Sequence, residues 1–350
     1  YPLSTPAICP TDAEITAKID PSHIIYCEIP DGLEIKENQY GYGVFTTKPF
    51  KNGEVIYENQ FIEIEDEEQY FLLKTPSKDY VLNSFTHAVS IGNGKRALYT
   101  FDSMMNHSCQ ANSYSITPEK AEKANTFLQV ACRDIAAGEE ITCNYLLFEY
   151  DCSDKSIDNC QCESHECFHY IRGFKWLPEE EQIKLLPQAD SSVVEQYLID
   201  HPDVIYITDL KLPEALQLEG NDENYYLTSK KSFKKGDIVY ENNSLFFEDH
   251  KLILILWNNS IIRIENKRHA VKRGEGIREF FYFDTFMNHS CDPNTITSYI
   301  SPGHYQGIAL KDIQPGDELT CDYTVFDTEA DEDESFECHC GAANCKGIIR

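Results

Sequence analysis

One three-part signature occurs twice in the chain, in the same order. The first occurrence runs Asn106-His107-Ser108-Cys109-Gln110-Ala111-Asn112, then Glu140-Ile141-Thr142-Cys143-Asn144-Tyr145, then Cys160-x-Cys162-x4-Cys167. The second runs Asn288-His289-Ser290-Cys291-Asp292-Pro293-Asn294, then Glu318-Leu319-Thr320-Cys321-Asp322-Tyr323, then Cys338-x-Cys340-x4-Cys345. Each tyrosine precedes the first cysteine of its cluster by 15 residues. An internal repeat of this size means duplicated domains. A chain of 350 residues has room for two, each with its own core. The expected organisation is a lead-in over 1–23, a first domain over 24–177, a connector over 178–215 and a second domain over 216–350.

The duplication extends into the quieter stretches. Gly43-Val44-Phe45 and Glu54-Val55-Ile56-Tyr57 read as short strands around a Lys51-Asn52-Gly53 turn, and Lys234-Lys235-Gly236 followed by Asp237-Ile238-Val239-Tyr240 repeats it. Superposing the turn glycines sets Gly41 and Gly43 opposite Asn224 and Tyr226. The inserts from Gly53 to Asn106 and from Gly236 to Asn288 span 53 and 52 residues, enough for a small helix or irregular segment and one more hairpin. Phe127–Ala131 and Asp134–Ile141 read as strand, turn, strand, and 307–319 copies them. Short strands with many turns predict a mainly β fold. The connector alone is not duplicated; Ser191-Ser192-Val193-Val194-Glu195 reads as a helix start, with Val194, Tyr197 and Leu198 as its apolar stripe, packing the domains together.

The formal charge of -29 argues against a direct grip on nucleic acid, which needs clustered Lys and Arg, and favours a basic protein partner. The acidic runs 63–68 and 327–337 also suit solvated loops. No apolar run approaches the roughly 18 residues of a membrane span, Leu252–Trp257 being the longest candidate. The 14 cysteines are spaced for thiolates converging on one ion rather than for bridges closing separate loops. Three thiolates per cluster lack one ligand for a tetrahedral site, and Cys109 and Cys291 are the fourth candidates. The expected zinc ligands are therefore Cys109, Cys160, Cys162 and Cys167 in one copy and Cys291, Cys338, Cys340 and Cys345 in the other. Four thiolates leave no open position, so such a zinc is structural. Reduced, metal-bound thiols imply cytosol or nucleus.

Together these motifs resemble the SET-domain protein lysine methyltransferases that carry a cysteine-rich post-SET segment, over 24–177 and 216–350. The resemblance implies two β-clip domains of small curved sheets, each with its C-terminal segment crossing the Asn-His loop in a pseudoknot. It implies S-adenosylmethionine as methyl donor, zinc as structural metal and a lysine of a basic protein, foremost a histone, as acceptor. Gly41 and Gly43 would let the backbone approach the cofactor, with Asn106 and His107, or Asn288 and His289, contacting it. Tyr145 and Tyr323 would be the catalytic tyrosines lining the lysine channel. In related enzymes an aromatic after the last cysteine covers the adenine; Phe174 and Trp176 are the candidates. Two residues before the tyrosine the family usually has Phe or Tyr, and Cys143 and Cys321 there either leave room for di- or trimethylation or are compensated by another side chain.

The copies depart from the pattern differently. The first has Asn144 for the usual Asp and Ala111 for the usual Pro, both mild changes. The second keeps those letters, but Asn224 and Tyr226 replace the glycines, and it stops at Arg350, opposite Arg172, before any aromatic cover. The first copy is the expected catalytic unit. The rival expectations are a lysine methyltransferase acting on a non-histone protein in nucleus or cytoplasm, and a non-catalytic tandem module that holds basic peptides.

Overall fold

Alternating apolar residues and turn glycines build short strands throughout the chain, which is mainly β. The computed structural model describes residues 16, 18–39, 41–118, 123–152, 156–221, 224–325 and 335–349. Most of the lead-in, the acidic stretch 327–334 and Arg350 lie outside them. The chain divides into two compact units, Tyr1–Asp200 and His201–Arg350. The division falls inside the stretch read as a connector. Its helices Glu179–Leu185 and Ser191–Asp200 go with the first unit, and its strand Val204–Ile207 pairs within the second.

In the first unit, Ile24–Tyr26, Tyr70–Lys74 and Asp79–Asn83 form a three-stranded sheet. A five-stranded sheet runs in the order Ser113–Ile116, Thr126–Ala131, Val55–Glu65, Lys95–Tyr99, Ala88–Gly92. A four-stranded sheet runs Leu33–Asn38, Gly41–Thr46, Glu140–Cys143, Asn106–His107. Their inward side chains, among them Val44, Leu73, Leu98 and Ile141, make one core with Phe101 and Ile135 of the connecting segments. The second unit repeats the three- and five-stranded sheets around its own core of Leu227, Ile253, Phe280 and Tyr305. Where the first has four strands in one sheet, the second has two pairs, Leu216–Asn221 with Asn224–Ser229 and Asn288–His289 with Thr320–Cys321, joined by the single bridge Thr228–Glu318.

Each insert holds a small helix, Ser84–His87 or Asn266–His269, but two hairpins rather than the one expected. Two of those hairpins turn on Asn93-Gly94 and Asn258-Asn259, all four residues with positive φ, as a two-residue turn matched to strand twist requires. Arg96 and Arg278 sit at equivalent buried positions, bonded to Asp66 and Asp249 at 2.5 and 2.6 Å and to the Ala88 and Ala270 carbonyls at 3.1 and 3.0 Å. In the helix Ser191–Asp200 the cap is Asp190, whose carboxylate accepts the Ser192 N–H at 2.9 Å. Of the expected stripe, Tyr197 is fully buried and Val194 and Leu198 are half-buried, and Val193 joins it as a second buried residue. Tyr197 packs edge-on against Phe174 of the first unit, ring centroids 6.1 Å apart. Among the described residues no helix is long and apolar enough to cross a membrane, and Leu252–Trp257 is a strand.

Candidate functional site

The Asn-His strand lies parallel to the strand that precedes the tyrosine, Asn106 opposite Thr142 and His107 opposite Cys143. The last asparagine of the motif closes the arrangement. Asn112 is buried, its amide Nδ2 donates to the Glu140 carbonyl at 2.8 Å and its Oδ1 accepts the Thr142 N–H at 2.8 Å. A side-chain amide thus stands in for a strand neighbour and satisfies backbone that would otherwise be orphaned. Asn294 does the same to Glu318 and Thr320 at the same two distances, beside Asn288–His289 paired with Thr320–Cys321.

Asn106, Asn38 and Gly43 meet at one carboxylate. Glu140 Oε1 accepts from Asn106 Nδ2 at 2.6 Å and from Asn38 Nδ2 at 2.9 Å, and Asn106 also donates to the Tyr42 carbonyl at 2.9 Å. Burial pushes the Glu140 carboxyl up. Gly43 has no room for a side chain, since a Cβ there would stand 2.2 Å from Glu140 Oε1. Gly41 differs: it has φ +118, a value that favours glycine, and open space where a Cβ would project. The second unit keeps the Asn288 bond to Glu318 at 2.7 Å, but Tyr226 occupies the position of Gly43, its hydroxyl donating to Glu219 at 3.3 Å. Asn224, opposite Gly41, is not among the residues with positive φ.

The tyrosines are held from both ends. The Tyr145 N–H donates to His107 Nδ1 at 3.1 Å and its hydroxyl donates to the Met105 carbonyl at 2.8 Å. Tyr323 repeats this with His289 at 3.2 Å and the Met287 carbonyl at 2.7 Å. Burial holds the Tyr145 phenol protonated, well above its usual range. Beside Tyr145 lies a cavity of about 80 Å³, whose walls include Tyr57, Tyr99, Asp102, Phe127 and Cys143, with His87 and Glu149 also lining it. Cys143 is buried and its thiol is pushed up to about 12 by that burial.

The cysteines converge as their spacing predicts. His107, Cys109, Cys160 and Cys162 offer ligating atoms within 4.8 Å of one another, as do His289, Cys291, Cys338 and Cys340. Cys167 Sγ lies 3.9 Å from Cys109 Sγ, and Cys345 packs with Cys291 and Cys338. Each copy therefore has five donors around a site that takes four. The histidine is the one to set aside. Its Nδ1 accepts the tyrosine N–H, so the neutral ring carries its proton on Nε2 and has no lone pair there for a metal. Nε2 instead points at Cys109 Sγ, or Cys291 Sγ, at 3.2 Å, as a donor to the thiolate. Burial holds His107 down to about 3, which keeps the ring neutral. The four cysteines suit a closed metal site, and among the described residues every cysteine is a free thiol.

Of the two aromatics after the cluster, Phe174 is fully buried against Tyr197 whereas Trp176 is 46% exposed, its indole N–H donating to Asp151 at 3.0 Å. Sequence reasoning passed over Asp102, Glu140 and Asn112. The signal for all three was recurrence in the second copy: Asp284 and Asn294 stand 182 residues after Asp102 and Asn112, and Glu318 stands 178 residues after Glu140.

A family model described as SET domain matches residues 41–146 and 224–324, more than half of the chain. A histone-lysine N-methyltransferase of Saccharomyces cerevisiae, H3 lysine-4 specific, is 46% identical over 67 residues, covering 18% of this chain and 6% of that protein. An enzyme of the same description from Emericella nidulans is 42% identical over 83 residues, 23% of this chain and 6% of its own length. A variant-silencing SET domain-containing protein of Plasmodium falciparum is 32% identical over 153 residues, 39% of this chain and 6% of its own. The chain thus spans a small fraction of the relatives it matches.

Proposed function

The chain belongs to the SET-domain family, and from that membership we propose that its first unit transfers methyl groups from S-adenosylmethionine to a lysine side chain of a protein, a histone tail foremost, in the nucleus. The observation that carries the reading is the asymmetry of the two units. The first has glycines at both positions, Gly41 with open space before it and Gly43 close against Glu140, and a cavity beside its tyrosine, whereas the second has Asn224 and Tyr226 at those positions. The relatives' descriptions as histone-lysine methyltransferases support the acceptor class.

Bound S-adenosylmethionine supplies a methyl group made electrophilic by its sulfonium. Gly41, Asn106, His107 and Trp176 are the residues we assign to hold it, Trp176 over Phe174 because only the tryptophan side chain is accessible. Tyr145 orients the acceptor. Its proton is committed to the Met105 carbonyl, so the hydroxyl oxygen presents lone pairs that can accept an N–H of the amine and aim the nitrogen. A zinc ion in each cysteine cluster pins the Asn-His loop to the end of its domain, through Cys109, Cys160, Cys162 and Cys167 and through Cys291, Cys338, Cys340 and Cys345. The second unit, with Asn288, His289 and Tyr323 in place but Asn224 and Tyr226 at the glycine positions, serves the fold or docks a basic peptide.

The test is methyl transfer from labelled S-adenosylmethionine to core histones and to cell extract. Tyr145→Phe should lower kcat by roughly 10²-fold, while Tyr323→Phe leaves it within a factor of about two. Loss confined to Tyr323→Phe reverses the assignment of the units. No transfer by the unaltered chain to any acceptor favours the binding-module reading.

A further inference from the structure

The cavity beside Tyr145 contains a buried carboxyl to which the reading above gives no part. Asp102 lies four residues before Asn106 and is 8% exposed. Its Oδ2 accepts from the Tyr57 hydroxyl and its Oδ1 from Asn59 Nδ2, both at a long 3.2 Å. No Lys or Arg lines the cavity, and burial holds the one lining imidazole, His87, down to about 4 and therefore neutral. A carboxylate desolvated without a cation is costly. The walls around it are aromatic, with Phe127 meeting Tyr99 and Tyr57 edge-on at 5.2 and 6.3 Å between centroids. A carboxylate among aromatic rings is what a desolvated ammonium requires.

Asp284 occupies the equivalent place in the second unit with a different set of bonds: its Oδ1 takes two short ones, from the Tyr240 and Thr297 hydroxyls, each 2.6 Å, while its buried Oδ2 has no hydrogen-bond partner. In the first unit Ser115, the counterpart of Thr297, turns instead to Gln129 at 2.7 Å. Asp102, on the cavity wall, keeps one long 3.2 Å bond on each oxygen and no short hydroxyl bond.

We propose that Asp102 is the counter-charge and proton acceptor for the substrate's lysine ammonium. The inference rests on the methyltransferase reading of the same site and gives it a base. One N–H bond of the ammonium breaks and an O–H bond forms on the Asp102 carboxylate. The electron pair stays on nitrogen, so the products of this step are a neutral amine, ready as a nucleophile, and a neutral acid. Around Asp102, burial pushes Tyr57, Tyr99, Tyr145, Cys27 and Cys143 up and His87 down, so all of these stay neutral near pH 7. Glu149 lines the same cavity. Burial pushes Asp102 itself up to about 7, which suits a base working near that pH.

Two measurements on the whole chain test this. The first needs no turnover: n-butylammonium and neutral 1-pentanol are titrated in the presence of S-adenosylhomocysteine, read by tyrosine fluorescence. The unaltered chain should prefer the ammonium by about tenfold, and Asp102→Asn should lose that preference. Equal affinity for the two probes in the unaltered chain overturns the proposal, whatever the histone assays give. The second uses the histone reaction. The kcat should rise with pH through about 7, and Asp102→Asn should lower it by roughly 10²-fold and lose that rise. Tyr57→Phe, which removes a donor to the charged carboxylate, should move the rise to higher pH, and it decides the question if the Asn variant folds poorly. An Asp102→Asn enzyme with unchanged kcat and profile also overturns the proposal.

Discussion

His107 and Tyr145 are joined by a 3.1 Å hydrogen bond from the tyrosine's backbone N–H to the imidazole Nδ1, and that bond fixes which way the ring's other nitrogen faces. With Nδ1 engaged as an acceptor, Nε2 carries the ring proton and meets Cys109 Sγ at 3.2 Å. The cysteine cluster and the tyrosine are thus two ends of one imidazole. Whatever steadies the thiolates also steadies the residue we assign to aim the amine.

Replacing His107 with Ala breaks both links at once. The Tyr145 N–H loses its partner and the thiolate loses a donor, and the expected loss of stability is about 1–3 kcal/mol. Urea denaturation measures the stability. Methyl transfer should fall in kcat, because the placement of Tyr145 fails, and KM for S-adenosylmethionine should rise, because His107 is among the residues assigned to hold it.

Metal content follows from the two clusters. The chain purified under reducing conditions should carry two zinc ions by elemental analysis. Cys160→Ser and Cys338→Ser should each remove one, and the double variant both. A chain that retains full metal in the double variant, or holds none at the start, contradicts the four-thiolate sites.

Gly43→Ala tests the carboxylate knot directly. A Cβ 2.2 Å from Glu140 Oε1 forces that carboxylate off Asn38 and Asn106. The cost should be about 1–3 kcal/mol, accompanied by weaker S-adenosylhomocysteine binding in calorimetry. Gly41→Ala, with open space ahead of it, should cost stability only through its positive φ, on the order of 1 kcal/mol.

Asp102 also makes stability depend on pH, with a definite sign. Its folded value, about 7, lies above the unfolded value of 3.8, so the folded chain holds this proton more tightly. The group's contribution is most favourable below about 4 and falls as pH rises towards 7. Asp102→Asn removes that slope. Its stability relative to the unaltered chain, measured by urea denaturation, should therefore grow between those pH values, by an amount with a ceiling on the order of 4 kcal/mol. A difference that stays flat across the window contradicts a buried, uncompensated carboxyl.

Much of the architecture was legible because the chain states it twice. The order of motifs, the turns at Gly53 and Gly236 and the convergence of Cys109 with Cys160 and Cys162 all follow from comparing one copy with the other. The extra hairpins were legible too, in the Asn93-Gly94 pair, and went unread because the insert was treated as a whole. Other features could not be read from local pattern. Asp102 acquires its surroundings from Tyr57, 45 residues away, and Gly43 owes its constraint to Glu140, on a strand nearly a hundred residues later. On the helix Ser191–Asp200 the periodicity identifies Val194, Tyr197 and Leu198 but not Val193, the more buried valine, and the cap is Asp190 rather than a serine. Tyr197 is buried against Phe174, a packing partner that no local pattern names.

The amides of Asn112 and Asn294 carry a consequence for how tandem copies are interpreted. Both knit the same two backbone groups at the same distances, in the unit with an open cavity and in the unit whose glycines are gone. The most recognisable letters of the motif are therefore joinery. A copy can shed its reagent and its reaction and still be obliged to keep them, since without them the strands come apart. An intact signature certifies that a domain can be assembled; whether it does any work has to be read from the unremarked positions around it.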